Sequence, residues 1–145
     1  MMRVIDATNL VLGRMATRVA KLALSGEEVA VVNCEKAVIS GRQNSIVARY
    51  KAREVRATPF RGPRRRRHPE RIVKRAIRGM LPAGKWTENS RGRLAFGRVK
   101  CYLGIPTEFK DKPLETIEKA SFLKVTTPYY LTIEKLSQLL KGGHN

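Results

Sequence analysis

Between Arg42 and Lys100 the chain carries 19 Lys and Arg against 3 Asp and Glu, a net +16 out of the +18 of all 145 residues. The 41 residues before this stretch net +1, as do the 45 after it. Like charges at this density repel one another and oppose a compact fold unless a polyanion neutralises them. The charge is mostly arginine, whose planar fork suits phosphates and base edges and stacks on bases. A chain of this kind is built to lie against nucleic acid.

The totals bound the rest. A chain of 145 residues with 42% apolar content has room for one domain with one core. It holds no apolar run of about 18 residues, so no membrane-spanning helix is expected. Met1-Met2-Arg3-Val4-Ile5-Asp6 places an acid inside the first apolar run, unlike a secretion signal. An anionic membrane surface usually calls for a Lys-rich amphipathic helix with bulky apolar anchors, which the arginine block does not supply. Cys34 and Cys101 each lie in a strand-like apolar segment and read as buried thiols of a reduced compartment rather than as a disulfide. With no Cys-x-x-Cys and 2 His, no zinc site is expected.

Along the chain, Arg3 to Ala7 reads as a short strand. Leu12, Met15, Ala16, Val19, Leu22 and Ala23 then recur at helical spacing, with Arg14, Arg18 and Lys21 on the other side. Gly26 suits a left-handed cap. Val29 to Val32 has the continuous β-branched pattern of a strand buried on both faces, and Ala37-Val38-Ile39 reads as another short strand. A helix is expected over Gln43 to Val55, with Ile46, Val47 and Tyr50 inward and Arg49, Arg53 and Arg56 sharing an outer face. Thr58 to Pro63 cannot continue it. Pro69 suits the first turn of a new helix, whose stripe of Ile72, Val73, Ala76, Ile77 and Met80 faces a basic stripe of Arg71, Lys74, Arg75 and Arg78. Ser90 to Arg98 reads as a short helix weakened by Gly92 and Gly97, and Val99 to Leu103 as the last clear strand. Thr132 can cap a final helix carrying Ile133, Leu136, Leu139 and Leu140. This order suggests an α/β domain with a mostly parallel sheet covered by helices on both faces. Residues 1–106 are expected to form the RNA-binding domain, including a basic loop over 56–70, and residues 107–145 a C-terminal extension packed on it.

The arginine run carries the functional signal. Phe60 to Arg78 holds nine Lys and Arg against one acid. Such a run has few means of pairing with itself and would thread between the phosphates of folded RNA. RNA is favoured over DNA because no helix-turn-helix, zinc finger or zipper is evident, and the aromatic consensus of an RRM sheet is missing too. Arg64, Arg65, Arg66 and Arg67 are expected to penetrate between RNA segments. Arg49, Arg53, Arg71, Arg75 and Arg78 would hold phosphates from the domain surface. Arg14, Arg42, Arg56, Arg61, His68, Lys74, Lys85, Arg91, Arg93 and Arg98 complete the charged set. Trp86, like Phe60, would either stack on an unpaired base or anchor its loop to the domain.

Two chemical readings are weaker. The first strand-to-helix turn, Asp6 to Arg14, is placed as a phosphate site would be. It lacks Gly-x-Gly-x-x-Gly and the P-loop lysine motif, and Asp6 would repel phosphate. No cofactor or small-molecule substrate is therefore expected. The alternative to RNA binding alone is an RNA-processing enzyme or nuclease acting through His68. A metal-dependent nuclease wants clustered carboxylates, whereas Asp6, Glu35, Glu54, Glu70, Glu88 and Asp111 are scattered, and no partner for His68 stands near it in sequence. No catalytic or metal-binding residue is assigned.

Arg78-Gly79-Met80-Leu81-Pro82, with a basic helix ahead and Val99-Lys-Cys-Tyr-Leu-Gly104 behind, resembles the signature region of the L-thirteen family of large-subunit ribosomal proteins. The opening is similar too: Asp6, Gly13-Arg14, Ala16, Val31-Val32-Asn33-Cys34-Glu35-Lys36 and Ser40-Gly41. Arg61-Gly62-Pro63-Arg64, His68-Pro69 and Tyr102 to Pro106 resemble the archaeal and eukaryotic branch. The resemblance implies a three-layer α/β/α fold with a four-stranded parallel sheet. It also implies a non-enzymatic structural role in the cytoplasmic ribosome, with large-subunit ribosomal RNA and neighbouring large-subunit proteins as partners. The segment from Arg61 to Arg67 and the helix through Arg78 would be the RNA-facing part.

Overall fold

The computed structural model describes residues 2–56, 60, 62, 66–84 and 87–142. Among these, the strands are β1 (Met2–Asp6), β2 (Glu28–Val32), β3 (Val38–Ser40), β4 (Val99–Cys101), β5 (Leu114–Glu115) and β6 (Tyr130–Thr132). The α-helices are α1 (Leu12–Leu24), α2 (Gln43–Val55), α3 (Pro69–Gly79), α4 (Arg91–Gly97) and α5 (Ile133–Lys141). Four strands make one parallel sheet in the order β4-β2-β1-β5. The expected α/β architecture is present, with the all-apolar run Val29 to Val32 buried inside the sheet.

Helix α1 follows from its pattern. Leu12, Met15, Ala16, Val19, Ala20, Leu22 and Ala23 are buried, while Arg14, Arg18 and Lys21 face water. It ends in a Schellman turn. Gly26 adopts φ +100°, its N–H donates to Ala23 O at 3.2 Å, and Glu27 N–H donates to Leu22 O at 3.2 Å. Only a residue tolerant of the left-handed region fits there.

The Val38 strand forms but does not join the parallel sheet. Val32 ends β2 and Val38 opens β3, and a parallel neighbour needs a crossover of about a dozen residues or more. Asn33, in the left-handed region at φ +54°, turns the chain into a 3-10 turn over Cys34–Lys36. β3 then pairs antiparallel with β6, Ile39 opposite Leu131. The parallel sheet takes its remaining strand from the two-residue β5, where Leu114 lies opposite Val4.

The two faces of the sheet are covered unequally. Ile5, Val29, Val31 and Val99 pack into the main core with side chains from all five α-helices. The opposite face, bearing Val4, Ala30 and Val32, is covered by Phe109 of the 3-10 turn Thr107–Phe109, with Met2 and Tyr102 beside it. The outer layer expected there is thus one short turn in place of an α-helix.

Residues beyond 106 are woven into the N-terminal half. Val11 N–H donates to Ala120 O at 2.8 Å, and Phe122 N–H donates to Asn9 O at 2.9 Å. The mouth of the first strand-to-helix turn is therefore occupied by the chain itself, with Ala120 buried against it. Thr132 caps α5 as expected, its Oγ1 accepting from Lys135 N–H at 3.4 Å. Ile133, Leu136 and Leu140 are buried, and Leu139 is half-buried.

Candidate nucleic-acid interface

Helix α2 buries little. Ile46 is its buried residue, and Val47 and Tyr50 pack half-buried against the core. Helix α3 is better seated through Ile72, Val73 and Ile77, with Pro69 in its first turn. Met80, assigned to the apolar stripe, is 45% exposed and its Sδ accepts from Thr17 Oγ1 at 3.5 Å. Between α2 and α3 lies a groove of about 710 Å³. Its walls carry Arg49, Arg53, Arg56, Arg66 and Arg75. Its less exposed floor is largely apolar, Tyr50, Ile72, Ala76 and Leu140, with exposed Gly79 and Met80 on the α3 wall.

Glu54 is the acid that lines this groove, and it is already engaged. Arg67 Nε donates to Glu54 Oε1 at 3.0 Å, with both side chains mostly buried. Ser137 Oγ donates to the Arg67 carbonyl, tying the same residue to α5. Arg53 stacks over the Tyr50 ring, its Cζ 5.5 Å from the centroid. Burial pushes the Tyr50 phenol up, against the opposing pull of Arg53 and Arg49.

The sequence-assigned cations divide by place. Arg49, Arg53, Arg56, Arg66 and Arg75 converge on the groove. Arg49, Arg53 and Arg56 share a face, as their spacing requires, and that face looks into the groove. Arg67 stands apart from its neighbour Arg66, since its guanidinium is committed to Glu54. Arg14 is exposed on α1, Arg71 on α3, and Arg91 and Arg93 on α4. Arg42 precedes α2, its guanidinium over the Tyr129 ring at 5.7 Å. Lys74 is half-buried over the Phe96 ring at 5.0 Å, and Arg78 is half-buried. Arg98 does structural work: its Nη1 donates to Ala23 O at 3.2 Å, in the last turn of α1. Arg61, Arg64, Arg65, Lys85 and Trp86 lie outside the described residues. Phe60 is 98% exposed, so it does not anchor its loop.

Of the acids weighed for catalysis, Asp6, Glu35 and Glu54 are held by partners within the fold, while Glu70 in the first turn of α3 has a buried Oε2 without a hydrogen-bond partner among the described residues. Burial alone would raise the Asp6 carboxyl. Hydrogen bonds from Asn33 Nδ2 at 2.9 Å, Thr8 Oγ1 at 2.7 Å and Thr8 N–H at 3.0 Å outweigh burial and hold Asp6 below the usual range. Glu35 accepts from Gly104 N–H at 3.1 Å. Glu88 and Asp111 are exposed. Exposed His68 precedes α3 and contributes its backbone carbonyl, which accepts from Arg71 and Ile72 N–H at 3.0 Å. Among the described residues no hydrogen bond joins its ring to another side chain, and no group of three His, Cys, Asp or Glu could hold a metal. No described helix is long and apolar enough to cross a membrane.

Sequence reasoning missed Tyr50, Ile72 and Leu140 as parts of the groove. Each reads as a core residue, because apolar spacing reports burial against something without saying what. Nothing local marks Glu54 as the partner of Arg67.

The sequence profile of Ribosomal protein L13 matches residues 1–108. The chain belongs to that family. Among its L13 relatives, the large ribosomal subunit protein uL13 of Archaeoglobus fulgidus is 44% identical, over 94% of this chain and 86% of the relative. That of Methanococcoides burtonii is 43% identical over 96% of this chain and 97% of its own length. That of Sulfolobus acidocaldarius is 41% identical over 96% and 93%. The L13 relatives are thus matched along nearly their whole length, including the C-terminal strands and helix outside the profile.

Proposed function

We propose that this chain is a structural protein of the large ribosomal subunit that neutralises and braces folded ribosomal RNA. The observation that carries this reading is the convergence of five arginines on one groove whose single acid is already paired. Family membership supplies the ribosomal setting. The groove arginines hold phosphates, with Arg42, Arg71 and Arg78 extending the surface along α2 and α3. Arg14, Arg91 and Arg93 add charge from α1 and α4, and Arg61, Arg64, Arg65 and Lys85 join them by charge. Neighbouring subunit proteins are expected partners of the balanced-charge C-terminal segment. Residues 1–106 and 107–145 act as one folding unit, as the hydrogen bonds of Val11 and Phe122 suggest.

Most of the affinity would come from counterion release, so binding should weaken steeply with salt. The test is sedimentation of the protein with large subunits across a salt series, with competition between a structured ribosomal RNA fragment and duplex DNA. Release only at high salt and preference for the RNA are expected. Salt-insensitive binding, or none, defeats the reading.

A further inference from the structure

Holding a phosphate backbone requires cations, not the floor described above. Phosphate laid on an apolar surface loses hydration without recompense. A ligand suited to both parts has a flat, weakly polar body with anions attached. We propose that the groove between α2 and α3 is a receptor for one unpaired nucleotide of the bound RNA, its base laid on the apolar floor and its phosphates on the arginine rim. This rests on the RNA-binding reading and adds to it a preference for an everted or bulged base.

Size agrees. The groove's 710 Å³ falls within the roughly 300–1,000 Å³ typical of sites for small organic ligands. A double helix is too broad to enter a cleft between neighbouring helices, and its bases are already stacked. A splayed single nucleotide can enter and stack on aromatic or guanidinium planes. Those planes are present as a pair, with Arg53 over Tyr50 at 5.5 Å. Tyr50 lines the groove, and its hydroxyl can donate to ribose or phosphate.

Gly79 points the same way. It lies on the groove wall as the last residue of α3. Its backbone is not in the left-handed region, and a Cβ added there would meet nothing within 4 Å. Neither conformation nor packing asks for glycine, which is a poor helix former. Close approach of a ligand to the α3 backbone does ask for it.

The same observation yields a probe. Gly79→Leu should fold normally and place a side chain in the groove. Two RNA hairpins differing only by one bulged nucleotide are titrated against the full chain by fluorescence anisotropy at fixed salt. A third hairpin carries an abasic bulge. The bulged hairpin should bind about tenfold tighter than the paired one, the scale of one stacked base, and the abasic hairpin should lose that advantage. Gly79→Leu should abolish the preference of the bulged hairpin over the paired one. Equal affinity for based and abasic bulges overturns the nucleotide receptor while leaving RNA binding intact. So does a preference that survives Gly79→Leu. Should Gly79→Leu misfold, the abasic comparison decides alone. If no hairpin binds in a salt-dependent way, the RNA reading and the receptor fall together.

Discussion

The two ends of the β1–β2 pair and the groove between α2 and α3 use charge in opposite ways. In the sheet region ionic groups are matched within the protein. Arg3 bonds Glu27 at 3.1 Å and Glu115 at 2.6 Å, and Arg98 caps α1. Asp6 gathers Thr8 and Asn33, and Glu35 takes Gly104 N–H. In the groove five arginines face one acid that Arg67 already holds. Arginine thus completes the fold in one region and lines an open groove in the other. Charge count alone does not tell these roles apart; the geometry of pairing does.

The comparison breaks most visibly if the groove arginines are removed. Replacing Arg49, Arg53, Arg56, Arg66 and Arg75 together by Gln should cut RNA affinity at least a hundredfold at about 0.1 M salt. It should also flatten the log-affinity against log-salt slope by about 3.5 to 4.5, at roughly 0.7 to 0.9 per phosphate. The melting temperature without RNA should hold or rise as self-repulsion eases. A fall of many degrees would return these arginines to the fold.

Next in size are core truncations. Met15→Ala or Ile5→Ala, both fully buried, should cost about 2–5 kcal/mol in urea denaturation. The RNA affinity of the folded fraction should not change.

Asp6→Ala should cost about 1–3 kcal/mol at neutral pH, since it strands the donors of Asn33 and Thr8. Asp6 binds its proton more weakly folded than unfolded. Its stabilisation is therefore complete above the ordinary carboxylate range and drains away as pH falls through the depressed folded value. Glu115, held down chiefly by its hydrogen bond from Arg3, adds in the same direction. Denaturation of wild type and variant should converge in acid; a gap that persists there would mean the carboxylate's charge is not what matters.

Smaller still, Arg98→Met should cost on the order of 1 kcal/mol through the lost α1 cap and change the salt slope of RNA binding by no more than about one contact. A larger change in slope would move Arg98 to the interface. Last come the two free cysteines. The hydrogen bond with Cys101 and then burial push the Cys34 thiol up. In a thiol-reagent assay Cys34 should stay silent until the chain unfolds, with half-buried Cys101 reacting first.

How much of this was legible beforehand varies with the range of the cause. α2 begins at Gln43 and ends at Val55 as its spacing requires, and Pro69, Gly26 and Thr132 mark helix ends where they stand. Each of these signals acts within one turn of backbone. The strand at Val38 was readable as a strand, but its partner was not, because β6 lies some ninety residues away. β5 escaped notice altogether: Leu114–Glu115 is too short to show alternation. The concentration of charge between Arg42 and Lys100 was legible from composition, while the bonds of Arg67 to Glu54 and of Arg98 to the Ala23 carbonyl were not.

Sequence alone determined the helices, the buried strand Val29 to Val32, the seat of the cationic surface and the family, since local sterics, apolar period and composition decide those without reference to distant residues. Tertiary structure alone decided that β5 completes the sheet, that β3 turns away to β6, and that arginines from α2 and α3 meet over an apolar floor. Those outcomes depend on burial and hydrogen bonding between groups far apart in the chain, and they take values only once the chain has closed on itself.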